Sequence, residues 1–114
     1  MTDAHLLTHI QQHAHGRDRA ISRAALALVC GCHDRAIREA IERLRRAGHA
    51  IGVGRGGGYF IAQDAAEVAE IVDSYRRRVE SECQTANLLR RNWPQVAGLQ
   101  LVLVDEAGQA QLLT

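Results

Sequence analysis

The sequence predicts an α+β fold, with three short helices and a β-hairpin in its first half and a long helix and a terminal hairpin in its second. Three observations predict it. Apolar residues recur at three- and four-residue steps near both ends of the first half and again over Val68–Leu89, the period of a helix with one buried face. Two short apolar runs, HAIGV and YFIA, are joined by GRGGG, the pattern of a small hairpin. The tail LQLVLVDEAGQAQLLT repeats that pattern around Glu106, Ala107 and Gly108.

The first helix has Thr2 or Asp3 as N-cap, carries Leu6, Leu7, Ile10 and Ala14 on one face, and meets Gly16 where a left-handed C-cap residue is wanted. After the polar GRDR loop, Ala20 and Ile21 read as a very short strand, and Ser22 caps a second helix, RAALALV. That helix stops at Cys30-Gly31-Cys32, because Gly31 takes a positive φ cheaply. A third helix runs from His33 or Asp34 to Ala47 and is closed by Gly48. Ile37, Ala40, Ile41 and Leu44 form its core stripe, while Arg35, Arg38, Glu39, Glu42 and Arg46 point the other way. The hairpin that follows has an Arg-bearing, mobile tip and must pack on the helices to be stable. Asp64 and Glu67 then form a capping-box-like pair. Beyond them a helix reaches Asn92, a rod of roughly 40 Å.

These elements divide the chain at residue 62. The whole has 114 residues, 46% of them apolar and 24% charged, which excludes a disordered or low-complexity chain. All 14 basic residues are Arg. Residues 1–62 hold nine Arg against five acids, +4, whereas 63–114 hold five against eight, −3. A basic first half suits a polyanion partner. No apolar run is long enough to span a bilayer, and the start lacks the pattern of a signal peptide; the expected location is cytoplasmic, with no membrane partner. Three cysteines without framework spacing do not suggest a disulfide scaffold.

Helix, short strand, short helix, glycine turn, charged helix and hairpin is the order of a winged helix-turn-helix. Over residues 4–62 the chain, and in particular ISRAALALVCGCHDRAIREAIERLRRAGHAIGVGRGGGYFIA, resembles the winged helix-turn-helix family typified by the N-terminal domain of the biotin operon repressor and related phage and prophage DNA-binding proteins. Gly31 at the turn, GCHDRAIREAIERLRRAG and GYFIA carry the resemblance. It implies a third helix lodged in the major groove and a wing touching the neighbouring backbone. His33, Asp34, Arg35, Arg38 and Glu39 match the groove-facing positions and Arg55 the wing tip. His33 stands where the family usually has Ser or Thr as N-cap.

The residues themselves agree with that expectation. Arg35 and Arg38, three apart, project from one side of a helix with the reach to read guanine or clamp phosphate. Arg45, Arg46 and Arg55 would set position and affinity rather than sequence choice. The plainer reading is a solvated face of i,i+4 pairs, Arg35 with Glu39 and Arg38 with Glu42.

Other clusters are weighed and set aside. His5, His9 and His13 form an i,i+4,i+8 ladder without a completing carboxylate except Asp3. Cys30, Cys32 and His33 lack a second pair at zinc spacing. GRGGG is no P-loop, since the chain has no Lys. Neither metal nor cofactor is expected, and no catalytic constellation marks an enzyme. On the long helix, Val68, Val72, Tyr75, Val79, Cys83 and Ala86 are expected to form a homodimer seam.

The expected function is sequence-preferring binding of double-stranded DNA, in transcriptional regulation or in phage-type replication or recombination. The alternatives are a winged-helix adaptor that binds protein without DNA, and a small metal- or redox-responsive regulator.

Overall fold

Thr2 begins the first helix: its side chain accepts from the His5 N–H at 3.1 Å, and α1 runs Asp3–His13. These residues belong to a computed structural model that describes residues 2–93 together with the backbone of strands 102–104 and 110–112. α1 stops earlier than Gly16. Ala14 is its C-cap, and Gly16, at φ 99 and ψ 153, is not left-handed helical but starts a 3₁₀ turn over Arg17–Arg19. The reason lies across the fold. The Gly16 N–H donates to the Ile61 carbonyl at 2.8 Å and the Ile61 N–H to that of Ala14 at 2.9 Å, so this stretch is drawn out as a strand partner.

The expected short strand shrinks to one residue, Ile21, which bridges Tyr59 in antiparallel sense. Ser22 then caps α2, Arg23–Cys30, by accepting from the Ala25 N–H at 3.1 Å. Gly31 takes φ 65 and ψ 40, a left-handed conformation that a residue with a Cβ enters at a cost. Its N–H and that of Cys32 both donate to the Ala27 carbonyl, which turns the chain into α3, Asp34–Arg46.

The hairpin pairs β1, Ile51–Val53, with β2, Tyr59–Ile61, in antiparallel register. At its tip Arg55–Gly57 make a 3₁₀ turn kinked at Gly56, and the Gly54 N–H donates to the Gly58 carbonyl at 2.7 Å. The core of this part consists of Leu6, Ile10 and Ala14 from α1, Leu26 from α2, Ile37, Ala40, Ile41 and Leu44 from α3, and Ile51, Tyr59 and Phe60 from the hairpin.

α4 spans Ala65–Asn92. Asp64 caps it, accepting from the Glu67 N–H at 2.9 Å. The reciprocal half of the capping box is shifted by one residue, because Glu67 accepts from the Gln63 N–H and from the Arg17 N–H, each at 3.1 Å, instead of from Asp64. Ile71 lies with Phe60 against Gly52.

The chain forms two compact units, Met1–Ile71 and Val72–Thr114. In the second, β3 (Val102–Val104) pairs antiparallel with β4 (Ala110–Leu112). The turn expected at Glu106, Ala107 and Gly108 lies outside the described residues. The architecture of the described residues is thus α+β, with four α-helices and, in the first unit, the antiparallel two-stranded sheet β1–β2. No described helix is long and apolar enough to cross a membrane.

Two leucine-sized residues of similar chemistry lie at opposite extremes. Ile41 is 1% exposed and Leu28 is 85% exposed. Ile41→Ala should therefore lower the free energy of urea unfolding by about 2–5 kcal/mol, and Leu28→Ala by no more than about 0.5 kcal/mol.

Candidate nucleic-acid interface

α3 buries Ile37, Ala40, Ile41 and Leu44, so its opposite face is left to solvent. There the structure gathers Asp34, Arg35, Arg38, Glu39, Glu42 and Arg46. Arg35 reaches furthest, its side chain 89% exposed, and its Nε meets a Glu39 carboxylate oxygen at 3.0 Å. Arg38 pairs with Asp34 at 3.5 Å, not with Glu42, which instead meets Arg46 at 3.4 Å. Asp34 also takes Arg23 of α2 at 3.3 Å, so one carboxylate ties two helices together. His33 occupies the N-cap in extended conformation and makes no side-chain capping bond; the backbone N–H groups of the first turn of α3 are left without the usual Ser or Thr acceptor.

The other two expected contacts separate. Arg45 turns toward the hairpin, where its Nε donates to the Ile51 carbonyl at 2.8 Å and its guanidinium stands 5.7 Å from the Tyr59 ring centre. That position supports the fold. Arg55 is exposed at the hairpin tip. Sequence spacing gives no signal for Arg43, whose guanidinium holds both carboxylate oxygens of Asp3, at 2.8 and 3.0 Å. The pair joins α3 to the start of α1, and it holds the Asp3 carboxyl below the usual carboxylate range. Arg19, beside the hairpin tip, is likewise invisible to local pattern.

Chemically, the α3 face is suited to base edges more than to phosphates. A fork-shaped guanidinium reads guanine O6 and N7, and a carboxylate accepts from cytosine N4 but repels a phosphate. Three Arg interleaved with acids therefore favour selection over blanket affinity.

The remaining clusters are placed as follows. Among the described residues no group of three His, Cys, Asp or Glu could hold a metal ion. The His9 and His13 rings sit 4.6 Å apart at a 43° tilt. Cys30 and Cys32 are half-buried and are not joined in a disulfide. Burial, with Cys32 beside it, pushes the Cys30 thiol up, away from the reactive thiolate. Ala24, Ala27, Leu28, Gly31, Cys32 and His33 line a shallow depression at the α2–α3 turn. On α4, Val68, Val72, Tyr75 and Val79 are exposed, whereas Cys83 and Ala86 are half-buried.

Comparison of the chain with protein-family models, curated proteins and solved structures finds no match.

The histidine ladder gives stability a pH dependence. Burial, then the neighbouring His13 and His5, hold the His9 imidazole below its ordinary value. Below about pH 6.5 the unfolded chain therefore takes up this proton more readily than the folded one, so stability rises with pH across that window and falls on acidification. His9→Gln should flatten the slope of unfolding free energy between about pH 7 and pH 5. An unchanged slope would assign the dependence to other groups.

Proposed function

We propose that the chain is a winged helix-turn-helix protein that binds double-stranded DNA with sequence preference, α3 entering the major groove and the hairpin acting as the wing. One observation carries the reading. A left-handed glycine, Gly31, joins α2 to a helix whose inner face is buried and whose outer face presents Arg35 and Arg38, and an Arg-tipped hairpin follows directly. A plain structural helix would explain the ion pairs but not this sequence of elements. The role is that of a regulator of transcription or a phage-type replication or recombination factor.

An adaptor reading without DNA finds support in Leu28 and Val29, 85% and 54% exposed on α2. Salt separates the two, because affinity for phosphates falls steeply with ionic strength and an adaptor has none to lose.

Self-association through α4 belongs to the same proposal. Val68, Val72, Tyr75, Val79, Cys83, Ala86 and Leu89 follow one another at steps of three and four residues along one stripe. Val72 and Val79 are 60% and 41% exposed, and a two-fold partner would bury them. Val72 and Val79 both replaced by Asp should give a monomer in sedimentation at a concentration where the unmodified chain is dimeric. An unmodified chain that is already monomeric at micromolar concentration removes this seam.

Arg35→Ala and Arg38→Ala should each weaken binding to a selected duplex by about 1–3 kcal/mol and to random duplex by less. Equal losses on both would make them phosphate contacts. No loss on either would end the recognition-helix assignment.

A further inference from the structure

Most guanidinium groups of the first unit are already engaged. Arg17 pairs with Glu70, Arg23 and Arg38 share Asp34, and Arg35, Arg43 and Arg46 hold Glu39, Asp3 and Glu42. Arg45 is bound to the Ile51 carbonyl. Among the described residues of this unit, two arginines remain whose guanidinium has neither an ion pair nor a hydrogen bond, Arg19 and Arg55, both exposed.

They stand on segments far apart in sequence that the backbone brings together. The Ile21 N–H donates to the Tyr59 carbonyl and the Tyr59 N–H to that of Ile21, both at 2.8 Å. Beyond this bridge the hairpin tip lies flat on the 3₁₀ turn. A Cβ on Gly54 would stand 2.9 Å from the Ala20 Cβ and 3.4 Å from the Arg17 carbonyl oxygen, and one on Gly58 would stand 3.0 Å from the Ile21 carbonyl. Approach this close is open only to glycine. Arg19 and Arg55 are the residues next to Ala20 and Gly54, so both stand on the backbone at the edge of one contact. Asp18 is the exposed carboxylate beside them in sequence. A 3₁₀ turn advances by a third of a circle per residue, which sends its side chain to a different side from that of Arg19.

We propose that Arg19 and Arg55 form a two-guanidinium clamp on the phosphodiester backbone of nucleic acid, and that this rim, rather than α3, supplies most of the electrostatic affinity. The proposal rests on the DNA-binding reading above and adds a second contact to it. An unengaged guanidinium gives up no partner when it turns to phosphate, and its planar fork matches two phosphate oxygens. On α3, Arg35, Arg38, Arg43 and Arg46 must each leave a carboxylate first. With a net charge of only +1 and most arginines of the first unit paired with carboxylates, phosphate affinity depends on where unpaired positive charge is concentrated.

Binding of a fluorescent random-sequence duplex across a salt series tests this, using the full chain and its R19A, R55A and R19A/R55A variants. Each single variant should flatten the plot of log K against log salt by about one unit and the double variant by about two. R19K should keep the slope but bind more weakly. R91A, which removes an exposed arginine from the other unit, should leave binding unchanged, and thermal melts of all variants should match the parent. If R19A binds as the parent does while R55A does not, the clamp is wrong and the DNA reading stands. If R91A costs as much as R19A, net charge and not a clamp is at work, which also overturns it. A parent chain that binds no duplex, or that binds only vesicles of anionic phospholipid, overturns both.

Discussion

The antiparallel bridge between Ile21 and Tyr59, two backbone hydrogen bonds of 2.8 Å, is the interaction on which the first unit depends. A two-stranded hairpin is barely stable by itself in water. Here β2 is paired on one side by β1 and on the other by residues 14–21, through Ile21 and through the bonds that link Ile61 to Ala14 and Gly16. β2 is thereby an inner strand, and its residues Tyr59 and Phe60 can close a core that α1, α2 and α3 leave open on one side. The same bonds fix the start of α2, since Ser22 follows Ile21 directly. They also stretch the chain out of α1, which is why that helix ends at His13.

Charge is arranged in the opposite spirit, by local pairing instead of a long-range field. The exposed ion pairs of α3 are worth little to stability in water, but each one sets the resting direction of a guanidinium. Arginines held this way present their forks along the helix, whereas those at the hairpin rim are unrestrained. The α3 face and the hairpin rim thus differ in how much a guanidinium must give up on meeting a new partner.

Much of this was legible in the sequence, and the legible part is local. Ser22, Gly31, Gly48 and the stripe Ile37, Ala40, Ile41, Leu44 act over one or two turns, so spacing alone finds them. The hairpin is marked by its glycines. What spacing could not find depends on segments distant in sequence. Gly16 resembles a helix stop until Ile61 takes its N–H. Glu67 resembles half of a capping box until the Arg17 backbone approaches. Arg45 shares the helix and the charge of Arg46 but faces β1, because its position lies a quarter-turn closer to the core. Arg38 pairs with Asp34 while Glu42 is taken by Arg46, and Asp34 also meets Arg23 of α2, a helix-to-helix contact that a one-dimensional pattern does not contain.

Asp34 has a consequence of its own. A carboxylate with a single partner would be left to solvent if that partner swung away. Asp34 has two partners on two helices. When Arg38 departs, Arg23 remains, and the carboxylate passes from a shared state to an exclusive one without ever standing alone. The cross-helix pair of Asp34 with Arg23 therefore does not depend on where Arg38 points, and Arg38 can change partners without breaking the contact between α2 and α3.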